Sequence, residues 1–215
     1  MSRGNLRFIA DNMLGSLTRW LRILGYDTAY DSKAEDWMVL RRAELEGRII
    51  LTRDHGLHRR ALKRGLRSIY FTETYIPDML AKLALLAGVE LSVDFEYTRC
   101  PQDNAPLIKV GKNEVKNAVP ERVLKLHEDF WRCPRCGKVY WVGTHWKTIE
   151  TYLSEARYKL AKMKKPVRKS GTAEAYTSTR AGDSGGSLPG EAGEAGDRGI
   201  RDKGGENIDA RSAEP

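Results

Sequence analysis

A chain of 215 residues with 40% apolar and 31% charged side chains is long enough for one or two cored domains, and without a run of about eighteen apolar residues no membrane span is expected. Its three cysteines are too few and too unevenly placed for a disulfide framework. The N-terminus lacks the long apolar stretch of a signal peptide, so a cytoplasmic protein in a reducing compartment is expected, and a formal charge of +8 gives it an attraction to polyanions.

The first expected element is a strand, Leu6-Arg7-Phe8-Ile9-Ala10, running into Asp11. From Met13 to Leu24 the residues Leu14, Leu17, Leu21 and Leu24 fall near one helical face, with Arg19 and Arg22 elsewhere. Gly25 suits the end of that helix. A short second strand over Thr28–Ala29–Tyr30 runs into Asp31, and a helix from Ala34 to Glu46 carries Trp37, Leu40 and Leu45. The third strand, Arg48–Thr52, is followed by Arg53 and Asp54, and a basic helix runs from Leu57 to Arg64. Ser68-Ile69-Tyr70-Phe71 is the fourth strand, and Pro77 opens a helix through Ala87. Strand–helix alternation of this kind predicts a parallel sheet whose strands all end on one edge.

After Leu91 the texture changes. Val93 to Thr98 alternates like a half-exposed strand, and further apolar runs follow at Leu107–Val110 and Phe130–Trp141. Helical character returns from Lys147 to Lys162. A module of this size cannot build a generous core, and a structural metal would help it fold. From Pro166 onward the chain holds ten of its 20 glycines and carries a net charge of −2, leaving +10 on residues 1–165. That composition predicts a disordered tail. The expected divisions are an α/β sheet domain over 1–91, a cysteine module over 92–150, a C-terminal helix over 151–165 and the tail over 166–215.

The strand-end acids carry the first functional signal. Asp11, Asp31 and Asp54 end successive strands, and Glu35 and Asp36 open the second helix. Ligands of open α/β sheets bind at that edge. Carboxylates gathered there need a cation such as Mg²⁺ or Mn²⁺, which takes oxygen ligands and serves phosphate chemistry. Each acid also has a plainer role: Asp11 and Asp54 as helix N-caps, Asp31 as a turn residue, Glu35 and Asp36 as partners of the helix dipole. Glu73 is a weaker candidate at the same edge. Arg19, Arg22 and Arg53, with the basic helix, are positioned to steer phosphate.

The second signal is Cys133-Pro134-Arg135-Cys136-Gly137, a zinc-knuckle turn. Cys100-Pro101-Gln102-Asp103 looks like its partner with the second cysteine replaced by aspartate. The expected zinc site is Cys100, Asp103, Cys133 and Cys136, with His127 or His145 as alternatives for the fourth position. The aromatics Trp131, Tyr140, Trp141 and Trp146 surround the knuckle, as core residues or as stacking surfaces for unpaired bases.

Together, Ala10-Asp11-Asn12-Met13-Leu14-Gly15, Arg19-Trp20-Leu21-Arg22-Ile23-Leu24-Gly25-Tyr26-Asp27, Ile50-Leu51-Thr52-Arg53-Asp54, Phe130-Trp131-Arg132-Cys133-Pro134-Arg135-Cys136 and Tyr140-Trp141-Val142-Gly143-Thr144-His145-Trp146 resemble the Mut7-C RNase domain. The resemblance covers roughly residues 6–150 and implies a PIN-like α/β domain, its parallel sheet flanked by helices, with a fused zinc-ribbon-like β module. It implies a metal-dependent ribonuclease using Mg²⁺ or Mn²⁺, with Asp11 and Asp54 matching the family motifs most clearly and Asp31 and Asp36 completing the site. Asp103 departs from the family pattern, which has a ribbon cysteine there. The alternatives are a non-catalytic RNA-binding zinc-ribbon protein, in which the acids are only caps and turns, and a DNase of the same chemistry.

Overall fold

The computed structural model describes residues 6–165; the tail expected over residues 166–215 lies outside the described residues. Four short strands, β1 (Arg7–Ala10), β2 (Asp27–Tyr30), β3 (Ile49–Thr52) and β4 (Ser68–Tyr70), form a parallel sheet in the order β2-β1-β3-β4. The helices between them are α1 (Gly15–Ile23), α2 (Asp36–Glu46) and α3 (His55–Lys63), and α4 (Ile76–Ala87) follows β4.

Strand alternation builds two apolar layers, one on each face of the sheet. Phe8 and Ala10 of β1 and Ile49 and Leu51 of β3 face the larger layer, with Leu17 and Leu21 of α1 and Leu80 and Leu83 of α4. Ile9 and Ile50, the intervening residues, face a smaller layer with Val39, Leu40 and Ala43 of α2 and Leu57 and Ala61 of α3. Burial on both faces explains why the central strands read as unbroken apolar runs.

The helix expected from Met13 to Leu24 is divided. Asn12–Leu14 form a 3₁₀ turn, and α1 starts only at Gly15. The cause is Asp11, whose Oδ1 accepts the Met13 N–H at 3.0 Å and tightens the first turn. Arg48 falls outside β3. It is buried, gives Nη1 to the Phe8 carbonyl, and forms a two-pronged pair with Asp27 at 2.9 and 3.1 Å.

The second module is an antiparallel sheet of β5 (Ile108–Val110), β6 (Phe130–Arg132) and β7 (Val139–Trp141) in that order. Two short helices, α5 (Lys112–Val115) and α6 (Glu121–Leu126), lie between β5 and β6. The strand expected over Val93–Thr98 is a turn instead. There the Asp94 carbonyl accepts the N–H groups of Tyr97 and Thr98. Phe95 stacks on Trp131 with centroids 4.4 Å apart. The alternation reflects these separate anchors and not a pleat. The last helix, α7 (Trp146–Lys164), starts one residue earlier than expected and returns to the first module, where Leu153 and Ala156 enter the larger apolar layer.

Arg22 fastens the two modules. Its guanidinium is buried and donates to the carbonyls of Thr28 (3.0 Å), Pro101 (2.9 Å) and Gln102 (2.8 Å). Asn104, held at a positive φ of 69°, reaches back to the Thr28 N–H and the Asp27 carboxylate. Gly25 has φ +90°, and a Cβ there would lie 2.8 Å from Tyr97 Cβ. The closeness of Tyr97, as well as the backbone angle, requires glycine. These contacts fall at the start of β2, so the second module docks at the N-terminal edge of the parallel sheet. Among the described residues, no helix is long and apolar enough to cross a membrane.

Candidate active site and metal centre

The order β2-β1-β3-β4 places the topological switch between β1 and β3, whose C-terminal ends carry Asp11 and Asp54. Asp11 is buried, 5% exposed. Its Oδ1 accepts Met13 N–H, and its Oδ2 accepts Arg53 N–H at 3.1 Å and the hydroxyl of Thr52. The Thr52 hydroxyl also accepts the Asp54 N–H at 2.8 Å. One buried hydroxyl thereby joins the carboxylate after β1 to the backbone after β3. Three donors occupy Asp11, while a carboxylate offers about four acceptor sites.

Asp54 is exposed and caps α3, its Oδ1 accepting Leu57 N–H at 2.8 Å. Among the described residues no donor reaches its Oδ2. Gly56 keeps the cap open, since a Cβ there would stand 2.9 Å from Asp54 Oδ1. The capping role and the siting at the switch point therefore coexist in the same two acids.

The remaining predicted acids are engaged differently. Asp31 is exposed and closes a turn by accepting Lys33 N–H at 2.9 Å. Asp36 is paired with Arg60 of α3. Glu35 accepts the Trp37 indole N–H at 2.8 Å, and Glu73 is bound to Lys82 at 2.9 and 3.0 Å. The Lys82 contacts and nearby N–H groups outweigh the burial that would raise the Glu73 carboxyl, and they leave it below its ordinary value. Thus Asp11 and Asp54 are tied together, whereas Asp31 and Asp36 are held by partners of their own.

The basic residues divide as well. Arg19 is exposed and Arg53 is half-buried, neither with an ion-pair partner among the described residues. Arg22, expected to steer phosphate, instead has its guanidinium committed to three carbonyls. Its burial lowers its affinity for the proton from the ordinary arginine value, opposed by the negative groups around it. His58 pairs its Nδ1 with Ser68 Oγ at 2.9 Å, and its pKa is lowered by burial first and by His55 second.

The cysteine module brings together Cys100, Asp103, Cys133 and Cys136, one ligand atom from each lying within 4.8 Å of the others. Among the described residues this is the group of His, Cys, Asp and Glu side chains placed to hold a metal ion. The Sγ atoms of Cys100 and Cys136 are 3.7 Å apart, and Cys133 Sγ is 3.1 Å from Asp103 Oδ2. Zinc bonds of about 2.3 Å to sulfur give tetrahedral edges of roughly 3.8 Å, so the spacing fits zinc. Cys133 N–H and Gly137 N–H close the knuckle through the Lys138 and Cys133 carbonyls. Without an ion, burial pushes the Cys133 thiol up to about 12. Burial acts the same way on Asp103, but the Ala105 N–H and the surrounding thiols outweigh it and hold the carboxyl below its usual range. Asp103 takes the fourth position, and His127 and His145 stand outside the group.

Thr52 and Asn104 were not singled out from the sequence, and Tyr140 was named only among the aromatics around the knuckle. Thr52 had a signal, a polar residue ending an apolar strand two positions before Asp54. Tyr140 reaches Cys100 Sγ at 3.2 Å through its hydroxyl, and Asn104 docks the ligand turn; neither contact leaves a local trace in the sequence. The model of the Mut7-C RNAse domain matches residues 6–153. The comparisons with curated proteins and with solved structures give no match.

Proposed function

The chain belongs to the Mut7-C RNAse domain family, and on that premise we propose that it is a metal-dependent ribonuclease hydrolysing RNA phosphodiester bonds at the C-terminal edge of a PIN-like sheet. The observation that carries this reading is the Thr52 hydroxyl joining Asp11 to Asp54 across the switch point. Mg²⁺ and Mn²⁺ retain most of their waters and are commonly held by one or two carboxylates together with substrate phosphate. Two acids therefore fit such an ion, and no third protein ligand is required. A divalent cation bound there would supply positive charge to the phosphate as charge develops on it.

The chain's own residues supply the rest. Asp11 is fixed by three donors and keeps about one acceptor site for a cation. Asp54 Oδ2 is the carboxylate oxygen positioned to hold a cation or accept a proton. Arg53 and Arg19 are the cations suited to orient the RNA backbone. Asp31 and Asp36 are assigned supporting roles, with Asp36 acting through Arg60. Zinc at Cys100, Asp103, Cys133 and Cys136 would be structural, since the module docks at the other end of the strands.

The test is Asp54→Asn, because asparagine caps a helix as well as aspartate does. Its melting temperature should stay within about 2 °C of wild type. Mn²⁺-dependent cleavage of RNA should fall by about 100-fold or more. Undiminished cleavage would exclude Asp54 from the chemistry. RNA binding with no turnover in wild type would favour the non-catalytic alternative, to which the engaged Asp31 and Asp36 lend some support. A DNA substrate in the same assay separates RNase from DNase.

A further inference from the structure

Of the five tryptophans, four are built into the protein. Trp20 lies flat on Tyr152, centroids 5.3 Å and planes 4° apart. Phe95 takes Trp131 and Trp146 at 4.4 and 5.3 Å, and Trp141 packs around Val115, Val119 and Phe130. Trp37 differs. The sequence places it in the apolar set of α2, yet it is 54% exposed. Among the described residues no ring or cation covers its faces. Its orientation is nonetheless restrained, because the indole Nε1 donates to Glu35 Oε2 at 2.8 Å.

Trp37 lines a cleft of about 620 Å³ with Asn12, Lys33, Asp36, Arg60 and Arg64. Asn12 is the residue after Asp11, so the cleft opens beside the strand-end acids. Within it Asp36 is paired with Arg60; Glu35, which also lines the cleft, sets one negative charge against Lys33 and Arg64, and these two cations have no ion-pair partner among the described residues. The cleft therefore offers a restrained π-face flanked by two unpaired cations, with positive charge in excess over its carboxylates. An unpaired nucleic-acid strand presents the matching chemistry, base faces alternating with phosphates. A protein partner's apolar side chain would match the ring but not the cations around it.

We propose that Trp37 is a stacking platform for an unpaired RNA base next to the scissile phosphate, with Lys33 and Arg64 holding the adjoining backbone. The proposal rests on the reading of the chain as an enzyme of RNA. It makes single-stranded RNA the substrate class, because a paired base hides its face.

The experiment measures fluorescence anisotropy of a labelled single-stranded RNA octamer with the zinc-loaded full chain, without added Mg²⁺ or Mn²⁺ so that nothing is cleaved. Trp37→Ala should weaken binding about ten-fold or more, and Trp37→Phe should retain most of the affinity. An all-abasic strand of the same length should bind wild type and Trp37→Ala equally. Equal affinity of Trp37→Ala and wild type for the octamer would overturn the proposal. So would an equal loss for the intact and the abasic strand, which would mark a general defect. Under Mn²⁺, the variant should raise KM with kcat within about two-fold, the pattern of lost uniform binding. Trp37-dependent binding in a chain that cleaves nothing would retain the platform and remove the nuclease. Mn²⁺-dependent cleavage with an unchanged KM in Trp37→Ala would do the reverse.

Discussion

Thr52 has no access to solvent, and its hydroxyl serves two acids at once. It donates to Asp11 and accepts from the Asp54 backbone. Thr52→Val keeps the shape and removes both bonds, leaving the Asp54 N–H and the buried Asp11 carboxylate each short of a partner. The expected cost is about 1–3 kcal/mol in urea unfolding, with RNA cleavage reduced as well. Thr52→Ser should restore much of both, and a variant as active and stable as wild type would show that the hydroxyl joins nothing of consequence. Asp27 makes a prediction in pH. Burial alone would raise its carboxyl, but Arg48 and Asn104 outweigh burial and hold it below the ordinary value. Its contribution to stability is therefore complete above the unfolded value of about 3.9. It is lost as pH falls through the lower folded value. Asp27→Asn should be less stable at neutral pH, and the gap from wild type should close as pH drops below about 4; a constant gap in acid denaturation would contradict this. Asp11 and Asp54 were legible in the sequence because a strand end is a local event. The Asp36–Arg60 pair spans 24 residues and left no local mark.

Among the elements, the knuckle turns were legible because two-residue spacing and Gly137 encode their geometry directly. Gly137 has φ +74°, the left-handed angle that such a turn needs. The aspartate in the first turn is the instructive departure. Its carboxylate lies where a fourth thiolate would lie and already accepts from Cys133. Asp103→Ala should weaken zinc binding, and Asp103→Cys should strengthen it, since thiolate is the softer ligand. Competition against a chromogenic chelator measures both, and equal affinity in all three proteins would place Asp103 outside the coordination. Val93–Thr98 shows where element reading fails. Apolar alternation is a weak signal over so few residues, and there it arises from Phe95 packing on Trp131 while Asp94 organises a turn. The four parallel strands were easier to read, because each carried its own helix and its own closing glycine.

At the scale of the whole molecule, the acid pair and the cysteine cluster sit at opposite ends of the parallel strands. The alternation of strands and helices fixed the acid end in advance. The position of the cluster depended on Arg22, which resembled any other arginine on an amphipathic helix until its partners at Pro101 and Gln102, 79 and 80 residues away, were seen. Those two residues are the spacer between Cys100 and Asp103. The distance between the first two ligands is thus set from outside the module, by a helix that binds no metal. Part of the entropy of assembling the site is removed before an ion arrives, so metal affinity becomes a gauge of how well two remote segments are docked. Arg22→Met alters no ligand, yet it should weaken zinc binding in the same chelator competition, as well as lowering stability by at least about 2 kcal/mol. Unchanged affinity would mean that the ligand turn holds its own shape, and that α1 merely rests against it.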